Sequence, residues 1–295
     1  MQYRTLGRTG VQVSTLALGA MNFGKIGRTT QDEVTAIVDA ALEAGINLID
    51  TADVYSGGES EEMVGKAIAG RRDDIVLATK ATLRMGDERN RQGSSRRRLV
   101  TALENSLRRL GVDHVDLYQI HRRDPNTSDE ETLPALTDLQ RGIETHVLPV
   151  TEQYGLGVLV WSPLASGWLS GAIREGREIT TSRSTFLPQR FDTTIPSNRA
   201  RLDAVERLAG VADEAGLTMI QLALGFVTAH PGVTSALVGP RTLDHLHSQL
   251  AAADTKLSAD VLDAIDAIVA PGADLAAHEK NDTPPSLLHP SLRRR

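Results

Sequence analysis

The segment Asn47–Ser56, with the sequence NLIDTADVYS, decides the fold of this chain. Its apolar residues follow Gly45, a typical helix stop, and end at the carboxylate of Asp50. Tyr55 follows in what should be the loop after a short buried strand. In parallel α/β proteins, ligands bind at the carboxyl ends of strands and in the loops after them. This segment therefore predicts one part of a functional rim.

Two later apolar runs end in the same way. Ile75–Lys80 (IVLATK) ends in an ammonium group, and Val115–His121 (VDLYQIH) ends in an imidazole. Between the runs, apolar residues recur at helical spacing, which indicates alternating strands and helices and hence a parallel sheet. If these runs are successive parallel strands, their terminal side chains meet at one rim with Asp50 and Tyr55.

The composition excludes several classes of protein. The chain has 295 residues, a formal net charge of −6 and no cysteine. Nothing in this charge indicates a nucleic-acid or membrane surface, and the lack of cysteine excludes disulfides, thiolate zinc sites and thiol catalysis. No apolar stretch is long enough to cross a bilayer, the N-terminus lacks the apolar run of a signal peptide, and the histidines have no metal-ligand spacing. We therefore expect a cytoplasmic protein without a metal site and without nucleic-acid or membrane partners.

The apolar runs and their spacing predict one domain over residues 1–270. An N-terminal hairpin over residues 2–14 comes first. The parallel strands are then expected to end near Gly19, Asp50, Lys80, His121, Ser162 and Gly239. The polar stretch 167–199 should cross the active face or be partly disordered, and the run Arg96–Arg98 should be solvated. Residues 271–295 hold several prolines and are expected to form a flexible tail.

These strand ends resemble those of the aldo-keto reductases, and the resemblance covers nearly the whole chain. The matching segments are Gly19–Gly24 (GAMNFG), Asp50–Tyr55 (DTADVY), Leu77–Lys80 (LATK), Asp116–His121 (DLYQIH), Ser162–Leu164 (SPL) and Gly239–Arg241 (GPR). Each motif alone is weak, whereas their common order and spacing are specific. The resemblance implies an α/β protein of the (β/α)8 TIM-barrel type that uses NADPH to reduce an aldehyde or ketone to an alcohol.

The chain departs from the family pattern between Leu139 and Gly142. The family has the end of its fourth helix, its fifth strand, its fifth helix and its sixth strand there, and this chain runs directly into what resembles the sixth helix. The resemblance therefore implies an incomplete barrel of about six parallel strands. A smaller closed barrel, an open sheet and a swapped dimer are all compatible with this deletion. The missing part includes the family's Ser-Asn pair and Gln that hold the nicotinamide carboxamide.

The resemblance assigns catalytic roles to Asp50, Tyr55, Lys80 and His121, called the tetrad below. A free tyrosine has a pKa of about 10, and a neighbouring ammonium lowers it, so Lys80 would prepare Tyr55 to donate a proton. Asp50 would hold Lys80, and His121 would hydrogen-bond and orient the carbonyl oxygen. For any one residue, a rim ion pair or loop packing is the simpler explanation. The set on three consecutive strand ends favours catalysis.

The resemblance also implies which residues contact NADPH. They are Gly19, Met21, Trp161, Ser162, Leu164, Gly167, Gly239, Arg241, His245 and Gln249. Trp161 would either stack on the nicotinamide or fill the barrel core. Arg241 precedes a predicted helix, where it would bind the 2′-phosphate of NADP, or it is simply solvated. His245 stands where the family commonly has Gln.

Two other functions remain open beside an active reductase of a small carbonyl substrate. One is a catalytically impaired or non-catalytic relic that binds the cofactor weakly or not at all. The sequence motifs are the same for the relic and for an active enzyme. The two differ only in whether the missing segment has impaired cofactor binding and catalysis. The other is a barrel aldolase that forms a Schiff base on Lys80, which leaves Tyr55 and the phosphate motif unexplained. We expect weak reductase activity, because the carboxamide holders are missing.

Overall fold

The computed structural model describes residues 1–127, 155–179, 184–185, 187–271, 273 and 275. Within them the strands are β1 (Tyr3–Thr5), β2 (Gln12–Ser14), β3 (Leu16–Gly19), β4 (Leu48–Asp50), β5 (Val76–Ala81), β6 (Leu117–Ile120), β7 (Leu159–Val160) and β8 (Ser235–Val238). The α-helices are α1 (Gln31–Glu43), α2 (Glu59–Ala67), α3 (Arg96–Leu110), α4 (Pro196–Glu214), α5 (Met219–Ala229), α6 (Leu243–Leu250) and α7 (Ala259–Ile268). The predicted deletion point between Leu139 and Gly142, and nearly all of the predicted tail, lie outside the described residues.

Strands β3 to β8 form one parallel sheet in the order β6-β5-β4-β3-β8-β7. Each of the six predicted runs contains one of these strands, which confirms the α/β class and the strand ends. The register places Asp50 opposite both Gly19 and Ala78, and Lys80 opposite Gln119. In the described part of the chain, β6 and β7 are the edge strands, and the predicted deletion lies between them in sequence. The six strands from β6 to β7 are hydrogen-bonded to one another without interruption, and we call this series of strands the arc.

Successive side chains of each strand point to opposite faces of the sheet, because a β-strand is pleated, and they pack into two different hydrophobic clusters. One face carries the inner cluster, made of Val13, Ala17, Leu48, Ala78, Leu159 and Leu237. The opposite face, with residues such as Leu18, Ile49 and Leu77, packs against the helices in a larger cluster. By this alternation, Asp50, Lys80 and Gln119 continue the face of the inner cluster toward the carboxyl ends of the strands.

The N-terminal hairpin closes the opposite end of the sheet. Strands β1 and β2 pair antiparallel, and Val13 of β2 is fully buried in the inner cluster. The guanidinium of Arg4 donates to the carbonyl oxygens of Thr228, at 2.8 Å, and Val233. The hairpin is thus tied to the turn between α5 and β8, and apolar side chains fill the end of the sheet away from the tetrad.

A third hydrophobic cluster forms partly from residues 167–199, the stretch that the sequence marks as a polar excursion. Trp168 stacks on Phe191 with ring centroids 5.7 Å apart, and both pack with Leu202 of α4. The few apolar residues of this stretch therefore anchor it, and its described parts are not simply loop. Among the described helices, none is by itself long and apolar enough to span a membrane; α4 and α5 meet that criterion only together, with a bend of 92° between them.

Gly65 allows α2 and α3 to pack closely, because a Cβ atom at this position would lie 2.2 Å from the carbonyl oxygen of Leu110. We expect Gly65→Ala to lower the free energy of unfolding by about 1–3 kcal/mol, since overpacking outweighs the helix propensity of alanine. Urea denaturation measures this change. Gly210 of α4 is the matched control, because no atom of the described residues, apart from the backbone of its own helix, lies within 4 Å of an added Cβ. Gly210→Ala should raise the same free energy by up to about 1 kcal/mol, and equal effects at both positions would contradict the prediction.

Candidate active site

The structure brings the four side chains of the tetrad together at the carboxyl ends of neighbouring strands. Asp50 ends β4, Lys80 lies near the end of β5, and His121 directly follows β6. Tyr55 begins a 3₁₀ turn in the loop between β4 and α2. Backbone hydrogen bonds hold these chain segments in register beyond the strands, since Thr51 donates to Ala78 and His121 to Ala81.

Lys80 is the centre of the site. Its buried ammonium donates to the Asp50 carboxylate, to the carbonyl oxygen of Thr51 at 2.9 Å, and to the Tyr55 hydroxyl at 3.3 Å. An ammonium has three N–H donors, so these contacts can use all of them. Burial by itself lowers the pKa of Lys80, but the charge of Asp50, then that of Tyr55, and hydrogen bonds to both raise it above its usual value. Lys80 is therefore a fixed cation beside a phenol.

Gln119 is a member of the site that the sequence analysis did not assign. Its Nε2 atom donates to the Asp50 Oδ1 atom at 2.8 Å, while the other carboxylate oxygen accepts from Lys80. Both oxygens of Asp50 are thus bonded, and the carboxylate has a defined orientation. Gln119 lies two positions before His121, and the period of two along a strand puts both on one face. That period is a signal in the sequence that could have identified it.

His121 is neutral at neutral pH. Burial, followed by the charges of Lys80 and Arg122, lowers the pKa of its imidazole to about 3. The ring meets the Tyr55 ring edge to face, with centroids 5.4 Å apart and an interplanar angle of 89°. Its Nδ1 atom is buried and has no hydrogen-bond partner among the residues that the structure describes. A neutral imidazole keeps one N–H donor and one acceptor, so it can form a hydrogen bond without bringing a second positive charge to the site.

Thr82 fixes the backbone that follows His121. Its hydroxyl donates to the carbonyl oxygen of Arg122 at 2.9 Å and accepts from the Arg122 N–H at 3.1 Å. The φ angle of Thr82 is 110°, which a β-branched residue rarely adopts. Such strain persists where the surrounding structure enforces it, often beside a functional site.

The predicted cofactor residues near β3 and β8 lie close to one another. The Nδ2 atom of Asn22 donates to the carbonyl oxygen of Gly239 at 2.7 Å, which joins the loops after these two strands. A Cβ atom at Gly19 would lie 3.4 Å from the carbonyl oxygen of Val238. Met21 is 37% exposed and Trp161, after β7, is 41% exposed. The alternative that Trp161 fills the barrel core is therefore wrong.

The segment after β7 has an unusual backbone. Ser162, Ala165 and Ser166 have φ angles of 55°, 48° and 61°, and Gly167 has 106°. Non-glycine residues in this left-handed region cost on the order of 1–3 kcal/mol each and are concentrated at ligand sites. Leu164 is half-buried against the larger cluster, which lies between the sheet and the helices. It therefore anchors this segment and does not present its whole side chain to a ligand.

The N-terminus of α6 has the properties of an anion site. Thr242 caps the helix by accepting from the His245 N–H at 3.2 Å, and the half-buried Arg241 precedes it. A helix N-terminus and a guanidinium together favour a phosphate. The His245 residue is exposed, but partial burial of its imidazole, followed by the charge of Arg241, lowers the pKa of the ring. Gln249 is buried, and its Oε1 atom has no hydrogen-bond partner within the described ranges.

The prediction that the whole run Arg96–Arg98 is solvated is wrong for Arg98. Its side chain is buried and its guanidinium lies 2.7 Å from the Asp53 carboxylate, which is also buried. Ala102 and Ser106 are buried on the same face of α3. The intervals of four residues from Arg98 to Ala102 and from Ala102 to Ser106 mark the inward face of α3 and could have indicated the burial of Arg98. In the described part of the chain, no group of three or more His, Asp or Glu side chains could hold a metal ion.

Comparison with known sequences places these features in a family context. The model of the Aldo/keto reductase family matches residues 15–143 and 142–270. The two matches together extend over most of the chain. They meet beside the segment Leu139–Gly142, where the sequence predicts the deletion.

Individual relatives match most of the chain. The "Probable voltage-gated potassium channel subunit beta" of Oryza sativa subsp. japonica is 32% identical over 324 residues, which cover 91% of this chain and 97% of that protein. The "Uncharacterized oxidoreductase YrpG" of Bacillus subtilis (strain 168) is 32% identical over 319 residues, covering 89% and 94%. "Aldo-keto reductase YhdN" of the same bacterium is 32% identical over 289 residues, covering 82% and 85%. The first two alignments are longer than the 295-residue chain, so those relatives contain residues without a counterpart here.

We expect the His121 ring to stay neutral from pH 8 down to about pH 4, because burial and Lys80 disfavour its protonated form. Ring-nitrogen NMR shifts, assigned with a His121→Gln variant, measure the protonation directly. A His121 titration midpoint near the ordinary value of about 6.5 would contradict the packing described here.

Proposed function

Because the chain belongs to the aldo/keto reductase family, a family of oxidoreductases, we propose that it reduces an aldehyde or ketone to an alcohol with NADPH. One observation carries the proposal. The buried Lys80 ammonium donates to both the Asp50 carboxylate and the Tyr55 hydroxyl. A cation held against a phenol at a ligand-binding rim is the arrangement that proton donation to a carbonyl oxygen requires.

The chain's own residues would carry out the proton transfer. Tyr55 would give its proton to the carbonyl oxygen, and Lys80, 3.3 Å from the hydroxyl, would stabilise the phenolate that remains. Asp50, oriented by Gln119, holds Lys80 in that position. The neutral His121 imidazole would hydrogen-bond the same oxygen and set its direction. Such positioned proton transfer contributes on the order of 10²–10⁴ in rate.

The rim from β3 to β7 fits a dinucleotide. Trp161 is exposed as a surface on which a nicotinamide can stack, and the strained segment from Ser162 to Gly167 lies beside it in sequence. Arg241 and the N-terminus of α6 suit the 2′-phosphate of NADP, and the Gln249 Oε1 atom is a buried acceptor without a partner in the described region. When bound, NADPH supplies the hydride that reduces the carbonyl carbon.

The Schiff-base alternative does not suit the state of Lys80. An amine nucleophile must lose its proton, so nucleophilic lysines have lowered pKa values. Here the charge of Asp50 and hydrogen bonds outweigh burial and raise the pKa of Lys80. Its N–H groups are also engaged by Asp50, Thr51 and Tyr55. These contacts favour an electrostatic role.

A second candidate is a catalytically impaired family member that binds the cofactor weakly or not at all. The alignments that are longer than the chain favour it, because the residues missing here include, by family resemblance, the holders of the nicotinamide carboxamide. The name of the rice relative suggests a potassium channel subunit as one form that a non-catalytic role could take. Cofactor affinity separates the two candidates.

NADPH titration of the purified chain, followed by tryptophan fluorescence and by the melting temperature, is the first test. Saturable binding with a raised melting temperature supports the proposal, since a ligand that binds the native state stabilises it. A screen of aldehydes and ketones then follows NADPH oxidation. Weak binding or no binding at all would favour the impaired candidate, and tight binding without turnover of any carbonyl compound would contradict both candidates.

Tyr55→Phe should lower kcat for carbonyl reduction by about 10²–10⁴-fold, because it removes only the proton donor. The NADPH dissociation constant should stay close to that of the unaltered chain. Steady-state kinetics and fluorescence titration measure the two quantities separately. Tyr3→Phe is the matched control. Tyr3 lies in the N-terminal hairpin, away from the tetrad, and its hydroxyl donates to the carbonyl oxygen of Gly45 after α1. Activity of Tyr55→Phe equal to that of the control would refute the role of Tyr55.

Arg241→Met should weaken NADPH binding by about tenfold or more and leave NADH binding nearly unchanged, because an arginine–phosphate hydrogen bond is charge-assisted. Parallel titrations with the two cofactors measure the difference. The exposed Arg97 of α3 provides the control substitution Arg97→Met. Equal losses for both cofactors would place Arg241 outside the 2′-phosphate site.

A further inference from the structure

A buried ion pair lies behind the loop that carries Tyr55. We call residues 51–58 the Tyr55 loop. Asp53 of this loop is 1% exposed and Arg98 of α3 is 6% exposed, and their Oδ2 and Nη2 atoms are 2.7 Å apart. The Asp53 N–H also donates to the carbonyl oxygen of Lys80 at 3.0 Å. Asp53 therefore connects the loop to the strand of Lys80 through its backbone and to α3 through its side chain.

Arg98 is itself held at a defined place. It lies in the first turn of α3, where its N–H donates to the side chain of the N-cap residue Ser95. The next residue, Leu99, accepts a hydrogen bond from the Tyr118 hydroxyl of β6 at 2.8 Å. The start of α3 is thus fixed to the strand that leads to His121. Through Asp53 and Arg98, the segments that carry Tyr55, Lys80 and His121 are joined on the helix side of the sheet.

Stability alone is a poor explanation of this pair. The Asp53 Oδ1 and Arg98 Nε atoms are buried and find no hydrogen-bond partner among the described residues. Burial raises the pKa of Asp53 to about 6, although the charge and hydrogen bond of Arg98 lower it. Replacing such a buried pair by apolar side chains of similar size is often neutral or stabilising. A half-satisfied pair behind a reactive group indicates a role in geometry.

We propose that Asp53 and Arg98 are positioning residues that hold the Tyr55 hydroxyl within hydrogen-bond distance of Lys80. The Tyr55 loop and the start of α2 after it have other anchors, since Ser56 of the loop donates to Phe23 at 2.7 Å and Ser60 of α2 donates to Ala20 at 2.8 Å. These contacts tie the loop toward β3. The Asp53–Arg98 pair ties the loop toward α3 and therefore opposes a shift of the loop toward β3. This inference rests on the proposed reductase function for its kinetic readout, but its geometric readout is independent of activity.

The test is the double variant Asp53→Leu with Arg98→Met, which replaces the pair by apolar side chains of similar size. We expect a melting temperature equal to or above that of the unaltered chain. We expect kcat to fall by about 10- to 100-fold, because small misplacements of a catalytic group have effects of this size. The NADPH dissociation constant should change by less than about twofold, since Arg241 and α6 lie outside this pair. A purely structural pair would leave kcat unchanged once stability is retained.

The chain offers a matched control in a second buried pair behind the same sheet. The Arg109 guanidinium lies 2.7 Å from the Glu61 carboxylate, which also accepts from Thr79 at 2.6 Å. This pair joins α2 to α3 and lies outside the Tyr55 loop. In the variant Glu61→Gln with Arg109→Met, the amide oxygen can still accept from Thr79. Arg109 packs beside Gly58 at the end of the Tyr55 loop, but in the described part of the chain this pair makes no hydrogen bond to Asp53, Arg98 or the tetrad. Its kcat should therefore stay within about threefold of the unaltered value.

Crystal structures of both double variants complete the experiment. We expect the Tyr55 hydroxyl to leave hydrogen-bond distance of Lys80 only in the Asp53→Leu/Arg98→Met variant. Unchanged kcat and an unchanged Tyr55–Lys80 contact in that variant would overturn the inference. If the unaltered chain reduces no carbonyl compound, the proposed function fails, and the Tyr55–Lys80 contact alone decides the inference. Should the apolar variant not fold, Arg98→Lys retains the charge, and its kcat and contact decide in the same way.

Discussion

The buried ion pair between Lys80 and Asp50 couples the fold of this protein to its chemistry. Either charge alone would be costly to bury, so the pair forms only when β4 and β5 are in the observed register. Gln119 of β6 binds the second oxygen of Asp50 and extends this requirement to a third strand. The arrangement that keeps the cation in place is thus the same one that presents it to Tyr55.

The six-stranded arc explains how one site can retain its geometry in a chain with a predicted internal deletion. The tetrad lies on β4 and β5, directly after β6 and in the loop after β4, while the predicted cofactor contacts lie mainly at or after the ends of β3, β8 and β7. These two sets are adjacent in the sheet order. The predicted deletion lies in sequence between β6 and β7, the edge strands of the described sheet. Every described contact within the tetrad therefore lies inside the continuous arc.

Around the tetrad, buried polar groups act mainly through geometry. Thr82 uses a strained backbone to hold Arg122 next to His121, and Gln119 orients Asp50. Their hydrogen bonds each contribute on the order of 1 kcal/mol to stability, a modest part of the whole. Their larger effect is to leave few alternative positions for the reactive groups. A site that delivers a proton depends on such restriction, because proton transfer requires hydrogen-bond distances.

The sequence by itself determined the strand ends, their parallel arrangement and the convergence of Asp50, Lys80 and His121. These follow from local apolar runs and from the period of two along a strand, which need no knowledge of neighbours. Helical spacing can place Arg98 on the inward face of α3, but only the tertiary structure decided that it pairs there with Asp53 and that Trp161 is exposed. Whether a side chain is buried depends on which distant element packs over it. For Arg98 of α3, that element is the Tyr55 loop, which contributes Asp53. That pairing is set by long-range packing and is absent from any local pattern.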